Sequence, residues 1–349
     1  MSASLRSCLL AIRYMTDVTA SQEVTAADLS FVISVLGHGA HGPVQLCATA
    51  DGTPYVVKIM SRDAIKEGRQ QDNVLTEMQL LSEVQHPFVV LLHGTFKTER
   101  YIGLIMEPLL GGDLFTHLTS RPEGIIPPDD ACFYISCVLC AIGHLHSRHI
   151  IYRDLKPENV MLQQDGYVKL IDFGYAKRLA ERTYSVVGTV EYLAPEVILQ
   201  RGHRFGADWW ALGVLLYEMI CGCTPFTDCG SVVNEMEICK NITSDNYRFA
   251  FRPGTPPIAR NAAELLLTRN PIERLGCGGG SVRDVMGHKF FKQMDFDALV
   301  SQALVPPFIP SIDSETDTSH FDQLPMGDAI DVATDAPYEQ DPRAWDFFF

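Results

Sequence analysis

The most informative stretch of the sequence reads His149-Ile150-Ile151-Tyr152-Arg153-Asp154-Leu155-Lys156-Pro157-Glu158-Asn159. It gathers charged and amide side chains directly after a long apolar segment, which Pro127-Pro128-Asp129 starts as a helix and which ends near His146. Downstream of it, Asp172-Phe173-Gly174 follows a short apolar run, and Ala194-Pro195-Glu196 comes after that. The order and spacing of these blocks are very specific, so we expect them to build one site.

A glycine-rich stretch lies upstream, between two predicted strands. Residues 37–44 read G-x-G-x-x-G-x-V, and glycines let backbone amides approach phosphates closely. Because a strand follows rather than a helix, the pattern favours a loop folded over a nucleotide, although alone it fits a plain hairpin equally well. In the next strand Lys58 alternates with apolar residues and faces inward only if it has an anionic partner. Glu77, on the following helix, is the candidate partner.

The hydrophobic pattern predicts a strand-rich first third and a helical remainder. Gln71 to Val84 has near-helical spacing and ends before His86-Pro87. After residue 291 no long periodic segment remains. We therefore predict a small sheet-rich lobe, a larger helical lobe and an extended tail. The predicted strands are 31–36, 44–47, 55–59, 88–92 and 101–106, and the later helices lie near 194–200, 208–221 and 230–241.

Composition excludes several classes of protein. With 46% apolar residues the 349-residue chain can bury a core, which excludes disorder throughout. A net charge of −15, from 28 basic and 43 acidic residues, argues against a nucleic-acid-binding surface. The longest uncharged apolar run, residues 209–217, is far shorter than the about 20 residues that a membrane span needs. The ten cysteines show no disulfide framework, so we expect the cytoplasm.

Taken in order, these motifs resemble those of the eukaryotic protein kinases. The loop from Tyr152 to Asn159 is similar to that of the AGC group of Ser/Thr kinases. Val305 to Pro310, Thr316 to Asp322 and the terminal Trp345-Asp346-Phe347-Phe348-Phe349 resemble the tail of cyclic-GMP-dependent protein kinases. The resemblance covers residues 31–349 and is to the catalytic part of such a kinase, without its cyclic-nucleotide-binding modules.

The resemblance implies an α+β, bilobal protein kinase fold. An N-terminal extension at 1–30 would precede a kinase domain at 31–291. That domain would consist of a small antiparallel-sheet lobe with one key helix (31–108) and a larger helical lobe (109–291). An AGC-type C-terminal tail would occupy 292–349, and its anchors Trp345 and Phe349 would dock in a groove on the small lobe.

The implied cofactors are ATP and Mg²⁺. By resemblance, Lys58 holds the α- and β-phosphates and is itself held by Glu77. Asp172 and Asn159 are the expected Mg²⁺ ligands, since carboxylate and amide oxygens suit this hard ion. The nucleotide would also contact residues of the glycine-rich loop, the start of the hinge, two apolar walls and a tail aromatic residue. These are Leu36, Gly37, His38, Gly39, Ala40, His41, Gly42, Val44, Val56, Met106, Glu107, Met161 and Phe321.

The remaining implied roles concern the protein substrate. Asp154 would orient the substrate hydroxyl and accept its proton, while Lys156 neutralises the moving phosphoryl charge. Thr189 would hydrogen-bond to both. The expected partners are proteins with Arg or Lys upstream of the target Ser or Thr, because carboxylates pair well with arginine. The carboxylates that match positions receiving those basic side chains are Asp113, Glu158 and Glu218.

Regulation is implied by the segment before Gly188-Thr189. Ser185 matches an activation-loop phosphorylation site, whose phosphate would pair with Arg153 and Lys177 and order the loop. An upstream kinase or a regulatory chain is thus a possible partner.

The sequence departs from the family pattern at several places. Val56 stands where Ala is usual, and Val190 replaces the Pro of the usual G-T-P-E-Y. The helix around Ala262 to Asn270 is about three residues shorter than the family pattern. These departures keep a pseudokinase scaffold open as an alternative to an active Ser/Thr kinase. A second alternative is a catalytic subunit restrained by a separate regulatory chain, as in cyclic-AMP-dependent kinases, and only the tail argues against it.

Overall fold

The structure is a computed structural model, and it describes residues 24–227, 234–278, 281–335 and 344–346. Most of the predicted N-terminal extension lies outside the described residues. The same holds for Phe349, the second anchor that we expected on the small lobe.

The first part of the chain forms a five-stranded antiparallel sheet. Along the chain its strands are β1 (Leu29–Gly39), β2 (Gly42–Thr49), β3 (Pro54–Ser61), β4 (Leu92–Lys97) and β5 (Tyr101–Met106). In the sheet their order is β1-β2-β3-β5-β4. The central strands β2 and β3 are buried along most of their length, because hydrophobic clusters cover both faces of the sheet. Gly42 allows the β1–β2 turn to lie against β3, because a Cβ at this position would be only 2.5 Å from the carbonyl oxygen of Ile59.

Two helices follow β3 in this small lobe, α1 (Arg62–Glu67) and α2 (Gln71–Glu83). The predicted helix at 71–84 is thus confirmed. The predicted strand at 88–92 is wrong: Val89 makes only an isolated bridge to Leu170, and the strand begins at Leu92. Phe88, Val89 and Val90 are buried between the lobes, so their apolar character reflects the core and not a strand.

The larger lobe is mainly helical. Its longest helix, α4 (Pro128–Ser147), begins at the predicted proline pair and is buried along almost its whole length. The second long helix is α6 (Gly206–Cys221), which packs against it. The other helices are α3 (Leu114–Thr119), α5 (Pro195–Ile198), α7 (Glu235–Thr243), α8 (Pro257–Leu266), α9 (Val282–Met286) and α10 (Phe296–Val300).

Short strands of the larger lobe carry the polar loops. They pair as β6 (Ile150–Ile151) with β9 (Lys177–Arg178), and as β7 (Val160–Leu162) with β8 (Val168–Leu170). The loop 152–159 therefore lies between β6 and β7, and Asp172 follows β8 directly. The 3₁₀ helices are Ala26–Asp28, Pro122–Gly124, Pro157–Asn159, Val190–Tyr192, Lys289–Phe291, Met326–Asp328 and Val332–Thr334.

One large core runs from the inner face of the five-stranded sheet into the helical lobe. A second, smaller cluster covers the outer face of that sheet and includes Val24, Val57 and Val332. The tail thus packs on the small lobe as well as on the large one. The expected α+β architecture with two lobes is confirmed.

Two expectations from composition can be compared with the structure. In the described part of the chain, no helix is long and apolar enough to cross a membrane. Seven cysteines there take no part in a disulfide, whereas Cys223 is disulfide-bonded, which the spacing of the cysteines did not indicate.

Candidate active site

A cavity of about 430 Å³ opens between the two lobes, and most of the predicted nucleotide-contacting residues line it. The predicted ones are Leu36, Gly37, His38, Gly39, Val44, Val56, Lys58, Met106, Glu107, Met161, Asp172 and Phe321. Ala40, His41 and Gly42 do not line it, since they form the tip and the return of the β1–β2 turn. Three lining residues were not predicted, namely Val90, Leu109 and Ile171. Each adjoins a predicted element, and only the folded chain turns its apolar side chain toward the cavity.

Lys58 lies at the inner end of this cavity. Strand β3 points its ammonium at Glu77 on α2, with 2.7 Å between Nζ and Oε1, and Asp172 Oδ1 is 3.5 Å away. Burial acts to lower the pKa of Lys58, but the charges of Glu77 and Asp172 outweigh it and raise that pKa. The predicted inward orientation and the predicted partner are both present, and the lysine stays charged at neutral pH.

Of the two residues predicted as metal ligands, Asp172 stands close to the same lysine. The Asp172 carboxylate is 43% exposed and accepts a hydrogen bond from Gly174 N at 2.9 Å. Asn159 uses its Nδ2 to donate to the backbone and the carboxylate of Asp154, which leaves its Oδ1 for another partner. No group of three or more His, Cys, Asp or Glu suited to a metal ion occurs within the described ranges.

The hinge between the lobes is fixed by one carboxylate. Glu107 Oε1 accepts hydrogen bonds from Lys169 Nζ at 2.6 Å and from Leu91 N at 2.7 Å. The Glu107 side chain is thus engaged on the lobes themselves, and its backbone N donates to Leu91 O at 3.1 Å, so its backbone carbonyl is the group that is left to face a ligand. Sequence reasoning missed Lys169, which sits in an apolar strand and gave no signal of its own.

Asp154 is a buried carboxylate held from three sides. Asn159 Nδ2 donates to its Oδ2 at 2.7 Å, and Lys156 Nζ lies 3.5 Å from the same oxygen. Thr189 Oγ1 donates to Asp154 Oδ1 at 3.4 Å and accepts from Lys156 Nζ at 3.2 Å. The contacts expected of Thr189 are therefore present, and the loop carries a fixed carboxylate beside a fixed ammonium.

Asp208 on α6 holds the backbone of this loop in place. The fully buried Asp208 carboxylate accepts hydrogen bonds from Tyr152 N and Arg153 N, both at 2.9 Å, and lies 2.7 Å from His146 Nε2. Arg153 adopts a left-handed backbone conformation, with φ of 70°. Such a conformation is costly for a residue other than glycine. The paired bonds to Asp208 hold it there.

Arg153 and Ser185 also meet in the structure. The Arg153 Nη1 atom donates to Ser185 Oγ at 2.6 Å, and its Nε donates to the Tyr175 carbonyl at 2.6 Å. Lys177 is exposed on β9 and makes no hydrogen bond to Ser185. One of the two cations expected beside Ser185 is thus in place.

The three carboxylates expected to meet basic side chains are placed differently from one another. Asp113 and Glu158 line the cavity, and Asp113 also caps α3 by accepting from Thr116 N at 2.6 Å. Glu218 lies on α6, where the Tyr192 hydroxyl donates to it. Burial raises the pKa of Glu218 to about 7, and the carboxylate charges of Glu158 and Glu191 add to this rise.

The comparisons with known proteins agree with this geometry. A family model described as the protein kinase domain matches residues 31–291. The chain is 39% identical over 332 residues to "cGMP-dependent protein kinase, isozyme 2 forms cD5/T2" of Drosophila melanogaster, covering 93% of this chain and 34% of that protein. It has the same identity to forms cD4/T1/T3A/T3B, covering 93% and 29%. The chain thus spans about a third of the length of these two relatives.

A human relative is matched over most of its own length. The chain is 37% identical over 306 residues to "cAMP-dependent protein kinase catalytic subunit PRKX" of Homo sapiens, which covers 87% of this chain and 83% of that protein. The resemblance stated from the motifs is confirmed. The two-lobed fold, the cavity between the lobes and these matches show that the chain belongs to the protein kinase family, within its AGC group.

Proposed function

We propose that the protein transfers the γ-phosphoryl group of ATP to Ser or Thr hydroxyls of other proteins, and that residues 31–291 are its catalytic domain. One observation carries the proposal: the Lys58–Glu77–Asp172 cluster and the fixed Asp154–Lys156 pair stand on adjoining segments, since Ile171 N donates to Asn159 O at 3.2 Å and Asn159 Nδ2 donates to Asp154. Phosphoryl transfer requires charge neutralisation and positioning more than covalent chemistry. The cleft provides cations for the phosphates on one side and a buried carboxylate for the hydroxyl on the other.

The phosphate end of the site fits ATP together with Mg²⁺. Lys58 holds the α- and β-phosphates, and Glu77 keeps its ammonium from turning away. Asp172 and the free Oδ1 of Asn159 are the two protein ligands for Mg²⁺, which takes few protein ligands because phosphates and water supply the others. When bound, the ion neutralises charge that develops on the transferred group.

The other end of the site acts on the hydroxyl. Asp154 orients the Ser or Thr hydroxyl and accepts its proton, and Asn159 with Thr189 keeps the Asp154 carboxylate from rotating. Lys156 stabilises the negative charge of the moving phosphoryl group. Because Lys156 is 24% exposed, it can reach a ligand in the cleft without losing its contact with Thr189.

The carboxylates beside the cleft support a preference for basic substrates. Glu218, Glu158 and Asp113 would receive Arg or Lys side chains upstream of the target residue. As part of the same proposal, the protein works in the cytoplasm, and phosphorylation of Ser185 by another kinase would strengthen its contact with Arg153. A regulatory chain that shields these carboxylates would be a further partner.

The test is phosphate transfer from Mg-ATP to an Arg-Arg-x-Ser peptide. Asp154→Asn keeps the size of the side chain but removes the proton acceptor, so kcat should fall by at least a hundredfold. ATP binding should be retained, because Asp154 does not hold the nucleotide. Asp313→Asn, an exposed carboxylate in the tail, is the matched control and should leave kcat unchanged. Nucleotide binding without any transfer by the unaltered protein would contradict the proposal and identify a scaffold.

A further inference from the structure

The tail crosses the mouth of the nucleotide cavity between two anchors. Phe321 forms part of the cavity wall. Nine residues further along, Ile330 is fixed to the outer side of β2 by the side chain of Gln45. Between them, the 3₁₀ helix Met326–Asp328 packs against β1, which leads into the glycine-rich loop. We name the segment from Phe321 to Ile330 the strap.

Gln45 determines where the strap sits. Its carboxamide is fully buried and pairs with both backbone groups of one residue: Nε2 donates to Ile330 O at 2.8 Å, and Oε1 accepts from Ile330 N at 3.1 Å. A buried carboxamide that lost these partners would carry an unsatisfied donor and acceptor. The pairing therefore fixes the position of Ile330 along β2. Asp328, two residues before Ile330, is thereby held at a fixed position beside β1.

Asp328 meets the glycine-rich loop at His38. The distance from His38 Nε2 to Asp328 Oδ2 is 3.4 Å, and both side chains are about half exposed. His38 also lines the nucleotide cavity, so this contact joins the tail to the loop that covers the phosphates. The other titratable or charged groups around it are His41 on the same turn, Asp331 on the tail, and Lys58, Glu107, Asp113, Glu158 and Asp172 in the cavity.

We propose that His38 and Asp328 form a proton-dependent latch between the glycine-rich loop and the tail, which slows nucleotide release when the imidazole is charged. The inference rests on the proposed function, because it assumes that the cavity binds ATP and ADP. A histidine side chain changes charge within the physiological pH range. A charged imidazole turns the neutral contact with Asp328 into an ion pair, so the glycine-rich loop is held more firmly against the tail when the proton is bound.

The experiment measures the dissociation rate of a fluorescent ADP analogue from the whole chain by stopped flow. Asp328→Asn removes the charge and keeps the shape. At pH 6 this variant should release the nucleotide about two- to fivefold faster than the unaltered protein, the range that half-exposed ion pairs give. At pH 8 the two rates should be equal. In His38→Gln the further change Asp328→Asn should have no effect at either pH.

Because the variants are compared at the same pH, protonation of the nucleotide affects all of them equally and does not change the ratio of their release rates. Asp322→Asn takes the same charge from the same exposed strap and should match the unaltered protein at both pH values. The latch is overturned if Asp328→Asn releases nucleotide at the unaltered rate at pH 6, or if Asp322→Asn speeds release equally. If the unaltered protein binds no nucleotide, the proposed function is contradicted together with the latch, whereas nucleotide binding with equal release rates at pH 6 overturns the latch alone.

Discussion

At the scale of single residues, Glu218 is a carboxylate whose charge depends on what lies beside it. It is partly buried on α6, it accepts a hydrogen bond from Tyr192, and other carboxylates stand nearby. Burial raises the pKa of Glu218 from 4.5 to about 7, since a buried charge without a cation is costly. Without a basic partner, a large share of this residue is therefore neutral at pH 7.

This protonation predicts how substrate recognition varies with pH. The Glu218 carboxylate is charged above its pKa and neutral below it, so an arginine of the substrate can form an ion pair only at the higher pH. With saturating Mg-ATP, the KM for an Arg-Arg-x-Ser peptide should fall about tenfold between pH 6 and pH 8. Initial rates at varied peptide concentration measure this dependence.

The variant Glu218→Gln separates this effect from other titrations. It keeps the side-chain volume and the contact with Tyr192 but has no charge at any pH. Its KM should be high at pH 6 and pH 8 alike, while kcat changes little. The same steep dependence of KM on pH in Glu218→Gln would show that another group recognises the basic residue.

At the scale of elements, helix α2 acts on the site through one side chain. Glu77 is buried and holds the Lys58 ammonium, whereas Glu83 near the end of the same helix forms an exposed pair with Arg178 at 2.5 Å. The position of α2 is thus coupled to the orientation of Lys58 through Glu77, whereas Glu83 contributes little to this coupling. A displacement of α2 away from the sheet would release Lys58 from the place where phosphates are expected.

The two glutamates of α2 give a matched comparison. Glu77→Gln removes the charge that keeps Lys58 in position, and removing one partner of a buried pair leaves the other uncompensated. We expect kcat/KM for ATP to fall about 10- to 100-fold. Glu83→Gln should change it less than twofold, because exposed pairs contribute little. Equal effects of both changes would contradict the role given to Glu77.

Some elements could be predicted from the sequence and others could not, for physical reasons. Helix α4 and strand β3 have strong local signals, a proline start and an apolar run. Strand β4 has no such local signal, since residues 92–97 read Leu-His-Gly-Thr-Phe-Lys. It forms because its backbone pairs with that of β5 at the edge of the sheet. In the site, motif order located Lys58 and Asp154, but the contacts of Gln45 and Asp346 join residues 285 and 284 positions apart, which no local pattern reveals.

At the scale of the whole molecule, the tail is fastened to the small lobe by buried charge. The Asp346 carboxylate is fully buried, and Arg62 donates to its two oxygens at 2.6 and 3.3 Å. Lys97 lies 3.8 Å from the same carboxylate and donates to the Asp346 carbonyl. Arg62 begins α1 directly after β3, so the last described part of the chain holds the strand that carries Lys58. The predicted docking of Trp345 on the small lobe agrees with this, since the neighbouring residue is anchored there.

A second tail carboxylate makes a comparison possible. Asp335 pairs with Arg100 at 2.7 Å and accepts from Thr98 at 2.6 Å, on the same turn between β4 and β5. Its cation is two-thirds exposed, whereas Arg62 and Lys97 are nearly covered by protein. The two contacts therefore differ mainly in how far their cations are removed from water.

This difference in the exposure of the cations predicts how much each of the two tail carboxylates contributes to the stability of the fold. Asp346→Asn removes the charge of the buried carboxylate that Arg62 and Lys97 contact, and the free energy of unfolding should fall by about 3 kcal/mol, because removing one partner of a buried ion pair is strongly destabilising. Asp335→Asn should cost about 1 kcal/mol, because water can solvate Arg100. Urea unfolding followed by tryptophan fluorescence measures both. If Asp335→Asn cost as much as Asp346→Asn, burial of the cations would not be what fastens the tail. If neither variant lost stability, the tail would contribute nothing to holding the small lobe, and Lys58 would depend on the sheet and α2 alone.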